Sequence, residues 1–138
     1  MFLPEDDIEY LESKGMAYEE RTEAVAGGAK RNALLITSFT FGGNLYERVQ
    51  DALVKRDSCD VLIVIPDGYA TTRLDSWYTR QRLVRADGAN PVQTSHTENM
   101  FGEGWQFWSR HLEPHEWRAG IDGLDTYLQY VRHGFRSA

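Results

Sequence analysis

The sequence predicts a single α+β domain, in which an antiparallel β-meander is flanked by a short N-terminal helix and a C-terminal helix. Segments with strand character lie together in the middle of the chain, and segments with helical character lie at its two ends. This order is typical of α+β rather than α/β proteins. The length of 138 residues suggests one domain that covers residues 1–138.

The two helices are predicted from their boundaries and their apolar spacing. Residues 3–11 form a short helix in which Pro4 suits the first turn, because its missing N–H costs nothing there. The acidic residues that follow favour the positive end of the helix dipole, and Gly15 is a typical stop. Residues 121–134 form the second helix, whose apolar stripe is Ile121, Leu124, Leu128 and Val131.

Three strands are predicted between these helices. Residues 59–66 are a continuous apolar run, which is typical of a central, buried strand. Residues 32–41 are rich in β-branched and aromatic side chains, and Gly42, Gly43 and Asn44 are expected to end that strand. Residues 17–25 are an acidic candidate strand followed by a turn at Gly27 and Gly28. Residues 45–56 are compatible with either a helix or a strand plus loop.

A long segment without periodicity follows the predicted central strand. Residues 70–104 are rich in turn-forming residues, so this stretch is expected to be irregular and either mobile or functional. An aromatic run comes next, in residues 105–117, and it surrounds Ser109.

Composition narrows the classes of function. The net charge is −6 and no long Lys/Arg run occurs, which argues against nucleic acid and against anionic membrane as partners. The early acidic cluster is interpreted as a solvated face, with a docking face for a basic partner as the alternative. No secretion signal and no stretch near the roughly 18 apolar residues of a membrane helix is visible, so a cytoplasmic location is expected.

Ser109 and His111 are the candidates for nucleophilic chemistry. If the segment is extended, residues two apart point to the same side, and the histidine could remove the proton of the hydroxyl during attack. A Ser-x-His pair also occurs by chance, and the neighbouring aromatic residues could simply be core.

Neither a metal nor a cofactor is expected. His111 and His115 have the spacing of a helical metal pair, but Pro114 lies between them and no third ligand is obvious. No glycine-rich phosphate loop is present. The single cysteine, Cys59, is interpreted as a small buried apolar residue.

Several motifs occur in a fixed order: Leu3 and Pro4 near the start, a strand that ends in Pro66 with Gly68 and Tyr69 after it, the stretch 108–111, and then Trp117. In this order they resemble the ubiquitin-conjugating enzymes, and most closely their divergent prokaryotic branch, prokaryotic ubiquitin-conjugating family E. In the eukaryotic enzymes the catalytic cysteine lies eight residues before such a tryptophan, and this count leads from Trp117 to Ser109. The resemblance covers nearly the whole chain.

The resemblance implies a bacterial conjugating enzyme whose partners are a ubiquitin-like modifier and an activating enzyme, within the kind of operon that acts against phages. Because serine replaces cysteine, the intermediate would be an oxyester on Ser109, with His111 as the base. Asn99 or a backbone N–H would stabilise the tetrahedral oxyanion, a contribution of roughly 3–4 kcal/mol. The family's His-Pro-Asn motif is missing, with His96 and Asn99 the nearest residues, and Ala70 stands where the family has proline.

Two other functions stay open at this point. Loss of the cysteine and of the His-Pro-Asn motif favours a non-catalytic module of the same fold that binds the modifier or its activating enzyme. An unrelated small hydrolase that uses Ser109 and His111 is the third possibility.

Overall fold

The computed structural model describes residues 2–138, which form two helices and one seven-stranded antiparallel sheet. The helices are α1 (Glu5–Ser13) and α2 (Leu124–Arg136). The strands are β1 (Ala17–Ala24), β2 (Lys30–Val49), β3 (Ala52–Ile65), β4 (Trp77–Thr79), β5 (Leu83–Val84), β6 (Thr97–Met100) and β7 (Glu103–Trp108). The order across the sheet is β1-β2-β3-β4-β7-β6, and β5 pairs with β2. Within residues 2–138, neither helix is long and apolar enough to cross a membrane.

Both predicted helices are confirmed, with one correction to the stripe of α2. The helix begins at Leu124, and Ile121 lies before it with 66% of its surface exposed. The buried face of α2 packs on one face of the sheet beside α1 and consists of Leu124, Tyr127, Leu128, Val131, Gly134 and Phe135. The 3.6-residue period therefore identified the helix, but not its first turn.

The β2–β3 hairpin is longer than the sequence predicts. β2 does not end at Gly42–Asn44, because the register shift between Thr40 and Leu45 accommodates those residues as an irregularity inside the strand. Gly42 has a φ of +60°, a conformation that glycine adopts without steric cost. The ambiguous residues 45–56 are strand on both sides of a turn at Gln50 and Asp51.

The segment 70–104 is not wholly irregular, which corrects a second expectation. It contains β4, β5 and β6, which have three, two and four residues. Strands this short cannot show a period of two convincingly, so the sequence pattern missed them. The aromatic run begins as β7, which pairs with β4 on one side and β6 on the other.

The β6–β7 hairpin curls over the second face of the sheet and reaches back to β1. The Phe101 N–H at its tip donates to the Glu23 carboxylate at 3.1 Å, and Arg21 of β1 contacts Glu103 of β7 at 3.3 Å. A second, smaller core is enclosed beneath the hairpin, and it consists of Ala33, Leu35, Leu62, Met100 and Trp105.

Asp60 helps to hold this curl in place. Its carboxylate accepts hydrogen bonds from the Ser38 N–H at 2.9 Å and from Arg80 at 2.7 Å, and Arg80 also donates to Glu103 at 2.9 Å. Burial alone would raise the pKa of Asp60, but the bonds from Ser38, Arg80 and Gln81 outweigh burial and hold the pKa below its ordinary value.

Asp7 joins α1 to the start of α2. It accepts a hydrogen bond from the Tyr69 hydroxyl at 2.6 Å and one from the Leu124 N–H at 3.2 Å, which satisfies a donor in the first turn of α2. Burial raises the pKa of the Asp7 carboxyl above its ordinary value, although both hydrogen bonds act in the opposite direction.

Candidate active site

Ser109 follows directly after the last residue of β7, and buried tryptophans fix its position. Trp108 is fully buried and stacks on Trp77 of the neighbouring strand, with ring centroids 5.8 Å apart. The Ser109 N–H donates to the Gln93 carbonyl oxygen at 3.0 Å. Trp108 and Trp77 are therefore core residues that anchor the serine, while Ser109 itself is half-buried at the surface.

Ser109, His111 and Asp75 form a continuous hydrogen-bonded relay. The Ser109 Oγ lies 3.3 Å from the His111 Nε2, and the His111 Nδ1 lies 2.7 Å from the Asp75 Oδ1. If Nδ1 carries the proton that bonds the carboxylate, Nε2 is free to accept the proton of the serine hydroxyl. This is the arrangement of nucleophile, base and orienting carboxylate that activates a serine.

The β4–β7 pairing brings Asp75 to the site. Trp77 pairs with Trp108 in antiparallel register, so residues just before Trp77 lie beside residues just after Trp108. Sequence reasoning missed Asp75, which is 36 positions from His111. The one hint in the sequence is that Ser76-Trp77 is the reverse of Trp108-Ser109, with Asp75 directly before it. This hint becomes informative only once the two strands are known to pair.

Ser76 gives the histidine a second neighbour. Its Oγ lies 3.4 Å from the His111 Nδ1 and donates to the Arg110 carbonyl oxygen at 3.3 Å. Side-chain exposures of 55% for His111 and 49% for Asp75 show that the relay is open to solvent. The aspartate–histidine pair is therefore screened by water, and its main effect is on orientation rather than on stability.

A cleft of about 590 Å³ opens on the histidine side of the relay. Its apolar walls come from Val64, Pro66, Tyr78, Phe107 and Trp117. Asp75, Ser76 and His111 line it, whereas Ser109 does not. Trp117 fixes one wall, because its indole N–H donates to the Ala70 carbonyl oxygen at 2.9 Å.

Asn99 is not brought to the other two predicted site residues. It lies on β6 opposite Gly104, and Ser109 is five residues further along the neighbouring strand. At the rise of an extended strand this corresponds to about 16 Å, too far for an oxyanion donor. The sequence favours Asn99 only because it lies near the position of the family's missing His-Pro-Asn motif.

The backbone N–H groups of Ser109 and Arg110 are already engaged. The Ser109 N–H donates to Gln93, and the Arg110 N–H donates to the Trp108 carbonyl oxygen at 2.8 Å. In serine acyl-transfer sites, free N–H groups at such positions stabilise the tetrahedral oxyanion. The site thus presents a hydroxyl beside an imidazole, while these two candidate oxyanion donors are occupied.

Cys59 offers no alternative nucleophile. It is buried in β3, with 2% of its surface exposed, as the sequence predicts. Burial raises the pKa of its thiol, which disfavours the reactive thiolate. Among residues 2–138, no group of three His, Cys, Asp or Glu side chains is arranged to hold a metal ion.

A family model described as prokaryotic E2 family E matches residues 3–138. The chain belongs to prokaryotic E2 family E. This confirms the resemblance that the sequence motifs indicated. No curated protein and no solved structure matches the chain.

Membership of family E indicates a conjugating-enzyme-like role, which in general involves a ubiquitin-like protein and an activating enzyme. The two helices and the curled antiparallel sheet are consistent with an α+β fold of the E2 type.

Proposed function

We propose that this member of family E carries the C-terminal acyl group of a ubiquitin-like protein as an oxyester on Ser109 and transfers it to an acceptor amine or hydroxyl. The hydrogen-bonded relay of Ser109, His111 and Asp75 is the observation that carries this proposal. A thiolate is accessible near neutral pH, whereas a hydroxyl needs a base. The relay supplies that base to a serine in the position that the family motif assigns to the nucleophile.

The loading step uses each member of the relay in a defined way. As the Ser109 Oγ attacks the activated carbonyl carbon, its proton passes to the His111 Nε2, and Asp75 orients the imidazole through Nδ1. The bond to the departing group breaks, and the proton on His111 leaves with that group. In the transfer step the acceptor loses a proton to the same nitrogen, and the proton finally returns to Ser109.

The cleft is the site to which we assign the acceptor, because His111, the base in this mechanism, lines it together with Asp75. An acceptor deprotonated by His111 would therefore approach the oxyester from this side. The apolar walls would hold the carbon chain of an acceptor side chain and exclude part of the water that competes with it.

A reconstituted reaction tests the proposal. The protein is mixed with a candidate ubiquitin-like modifier, its activating enzyme and ATP, and covalent adducts are resolved by electrophoresis and mass spectrometry. We expect an adduct that survives thiol reductant, is cleaved by mild base and maps to Ser109. Ser109→Ala should abolish it, whereas Ser95→Ala, which changes an exposed serine outside the site, should not. An adduct that persists in Ser109→Ala would refute the assignment.

His111 and Asp75 have separate tests. His111→Ala should slow loading by at least about 100-fold, the usual range for a lost general base. Asp75 acts through the imidazole, so Asp75→Asn should slow loading, while Asp75→Glu, which keeps the carboxylate, should restore part of the rate. Full-rate loading by His111→Ala would remove the base from the mechanism.

A non-catalytic binding module is the second candidate, because the Ser109 and Arg110 N–H groups are occupied. If no adduct forms under any condition while the protein still binds the modifier or the activating enzyme, this second function replaces the first. Gene neighbours provide a cheaper observation. Adjacent genes for an activating enzyme, a modifier and a deconjugating peptidase would support a role in an antiphage conjugation operon.

A further inference from the structure

The geometry points to a direct reaction of Ser109 with small aryl esters of carboxylic acids, in which the acyl group is taken up rapidly once and released slowly. The inference rests on the same nucleophile as the proposed function, but it needs no modifier, activating enzyme or ATP. It assigns the aromatic cleft beside His111 to the aryl leaving group.

The relay is already assembled in the free protein. Ser109 Oγ and His111 Nε2 are 3.3 Å apart, slightly longer than an ideal hydrogen bond, which is common for a catalytic pair before substrate binds. Ser109 is half-buried and the side chain of His111 is 55% exposed, so a small ester can approach both. No rearrangement of the chain is needed before the hydroxyl can attack.

The cleft offers an apolar surface beside His111 for the aryl ring of the ester, and Asp75 and Ser76, which contact the His111 Nδ1, line it as well. With the aryl ring in the cleft, the acyl carbon lies at the Ser109 Oγ and the leaving oxygen receives its proton from the His111 Nε2, the nitrogen that faces Ser109. Tyr78 and Phe107 stack with their centroids 5.0 Å apart, and with Trp117 they provide aromatic walls suited to a phenyl ring.

The acylation step balances without any further reactant. The proton of the Ser109 hydroxyl moves to the His111 Nε2 as the bond from Oγ to the acyl carbon forms. The bond between that carbon and the aryl oxygen breaks, and the proton on His111 passes to the aryl oxygen, which leaves as a phenol. Hydrolysis then uses one water, whose proton passes to His111 and on to Ser109 as the carboxylic acid departs.

The two halves of this reaction differ in how much they need an oxyanion hole. An aryl oxide is a good leaving group, so acylation tolerates the engaged Ser109 and Arg110 N–H groups. Release requires expulsion of the serine alkoxide, a poor leaving group, from an intermediate without those donors. Loss of one such donor costs roughly 100- to 1,000-fold in rate elsewhere. A burst of product followed by slow turnover is therefore expected, and it matches a site that carries an acyl group rather than one that hydrolyses it.

The experiment uses the full chain and 4-nitrophenyl acetate. We expect a burst of nitrophenolate that approaches one equivalent per chain, followed by a steady state slower by at least about 100-fold. Intact mass should increase by one acetyl group, and peptide mapping should place it on Ser109. His111→Ala should slow the burst by at least about 100-fold. His133→Ala, which changes an exposed histidine on α2, should leave it unchanged.

Several outcomes would overturn the inference. They are the absence of a burst, a burst of equal size in Ser109→Ala, or acetyl found on His111 or on a lysine instead of Ser109. Ser109→Cys provides a second check, because a thiol at this position should also be acetylated if the protein remains folded. If Ser109 accepts the modifier but not acetate, this inference fails alone. If it accepts acetate but never the modifier, the proposed function fails and the inference stands.

Discussion

Gly134→Ala adds one methyl group to the core beneath the candidate site, and we expect it to change both the stability of the protein and the reactivity of Ser109. It lies inside α2 against Trp77, and a Cβ atom there would approach the indole Cη2 at 2.5 Å and Cζ2 at 2.8 Å. Trp77 cannot easily give way. It is fully buried, stacks on Trp108 and meets the Phe135 ring edge-on at 5.7 Å. Gly134→Ala must therefore displace a rigid ring within a close-packed core.

Two opposing terms set the size of the effect. Alanine in place of glycine inside a helix stabilises by about 1 kcal/mol. Overpacking a well-packed core costs about 1–3 kcal/mol. Gly134→Ala should therefore lower the free energy of unfolding by up to about 2 kcal/mol. In a Trp77→Phe background the clashing atoms are absent, so the same substitution should stabilise by up to about 1 kcal/mol.

A double-mutant cycle measured by urea denaturation checks this reasoning. The four proteins are the parent, each single variant and the double variant, and we expect a coupling energy of about 1–3 kcal/mol. Gln129→Ala, on the exposed side of α2, controls for helix propensity. Effects that add within about 0.5 kcal/mol would show that Gly134 and Trp77 are not in steric conflict. Since Trp77 positions Asp75 through the β4–β7 pair, Gly134→Ala should also slow acylation of Ser109.

Three further predictions concern the fold around the site. The folded-state pKa of Asp60 lies below its ordinary value, so its stabilisation is complete above the unfolded pKa and is lost as pH falls below about 4. Asp60→Asn should therefore cost about 1.5–3 kcal/mol at neutral pH in urea titrations, with the difference from the parent shrinking towards pH 2–3. Asp7→Ala should cost about 1–3 kcal/mol, because the Leu124 N–H and the Tyr69 hydroxyl lose their acceptor; Asp7→Asn, which keeps an acceptor oxygen, should cost less in the same assay. Trp117→Phe keeps an aromatic wall but removes a donor to the loop after β3, and faster hydrogen exchange in residues 66–72 would report the loosened loop.

The elements that the sequence predicted well are those whose signal is local and long. The core of β3 is a continuous apolar run, and α2 carries an apolar stripe over three turns. The sequence predicts too short a β2, because glycine usually marks the end of a strand. In the fold, Gly42 lies in an irregularity of the β2–β3 pairing, and the strand continues beyond it. The short strands β4 and β5 are defined by partners far away in the chain, which no local pattern records, and β6 has only four residues in which to show a period of two.

The candidate site divides in the same way. Ser109 and His111 can be predicted from the sequence, because they are two residues apart and because Ser109 lies eight residues before Trp117. Asp75 cannot be predicted from the sequence, since only the pairing of Trp77 with Trp108 brings it to the histidine. Asn99 is favoured in the sequence because it lies near the expected position of the missing His-Pro-Asn motif. In the fold, the register of β6 on β7 places it away from Ser109. Spacing along the sequence therefore predicts which side chains meet at the end of one strand, but not which side chains meet across neighbouring strands.

A hydroxyl depends on a neighbouring base more strongly than a thiol does, and this leads to a prediction about a double substitution. A cysteine at position 109 would reach its reactive thiolate without a strong base, so it should depend much less on His111 than serine does. His111→Ala should slow loading by at least about 100-fold in the serine protein, but by less than about 10-fold in a Ser109→Cys background. Loading rates with the modifier, or burst rates with 4-nitrophenyl acetate, measure both ratios. Equal losses in the two backgrounds would mean that His111 supports the position of residue 109 and does not remove its proton. A loss confined to the serine protein would identify the histidine, held by Asp75, as the group that makes a serine usable at this position.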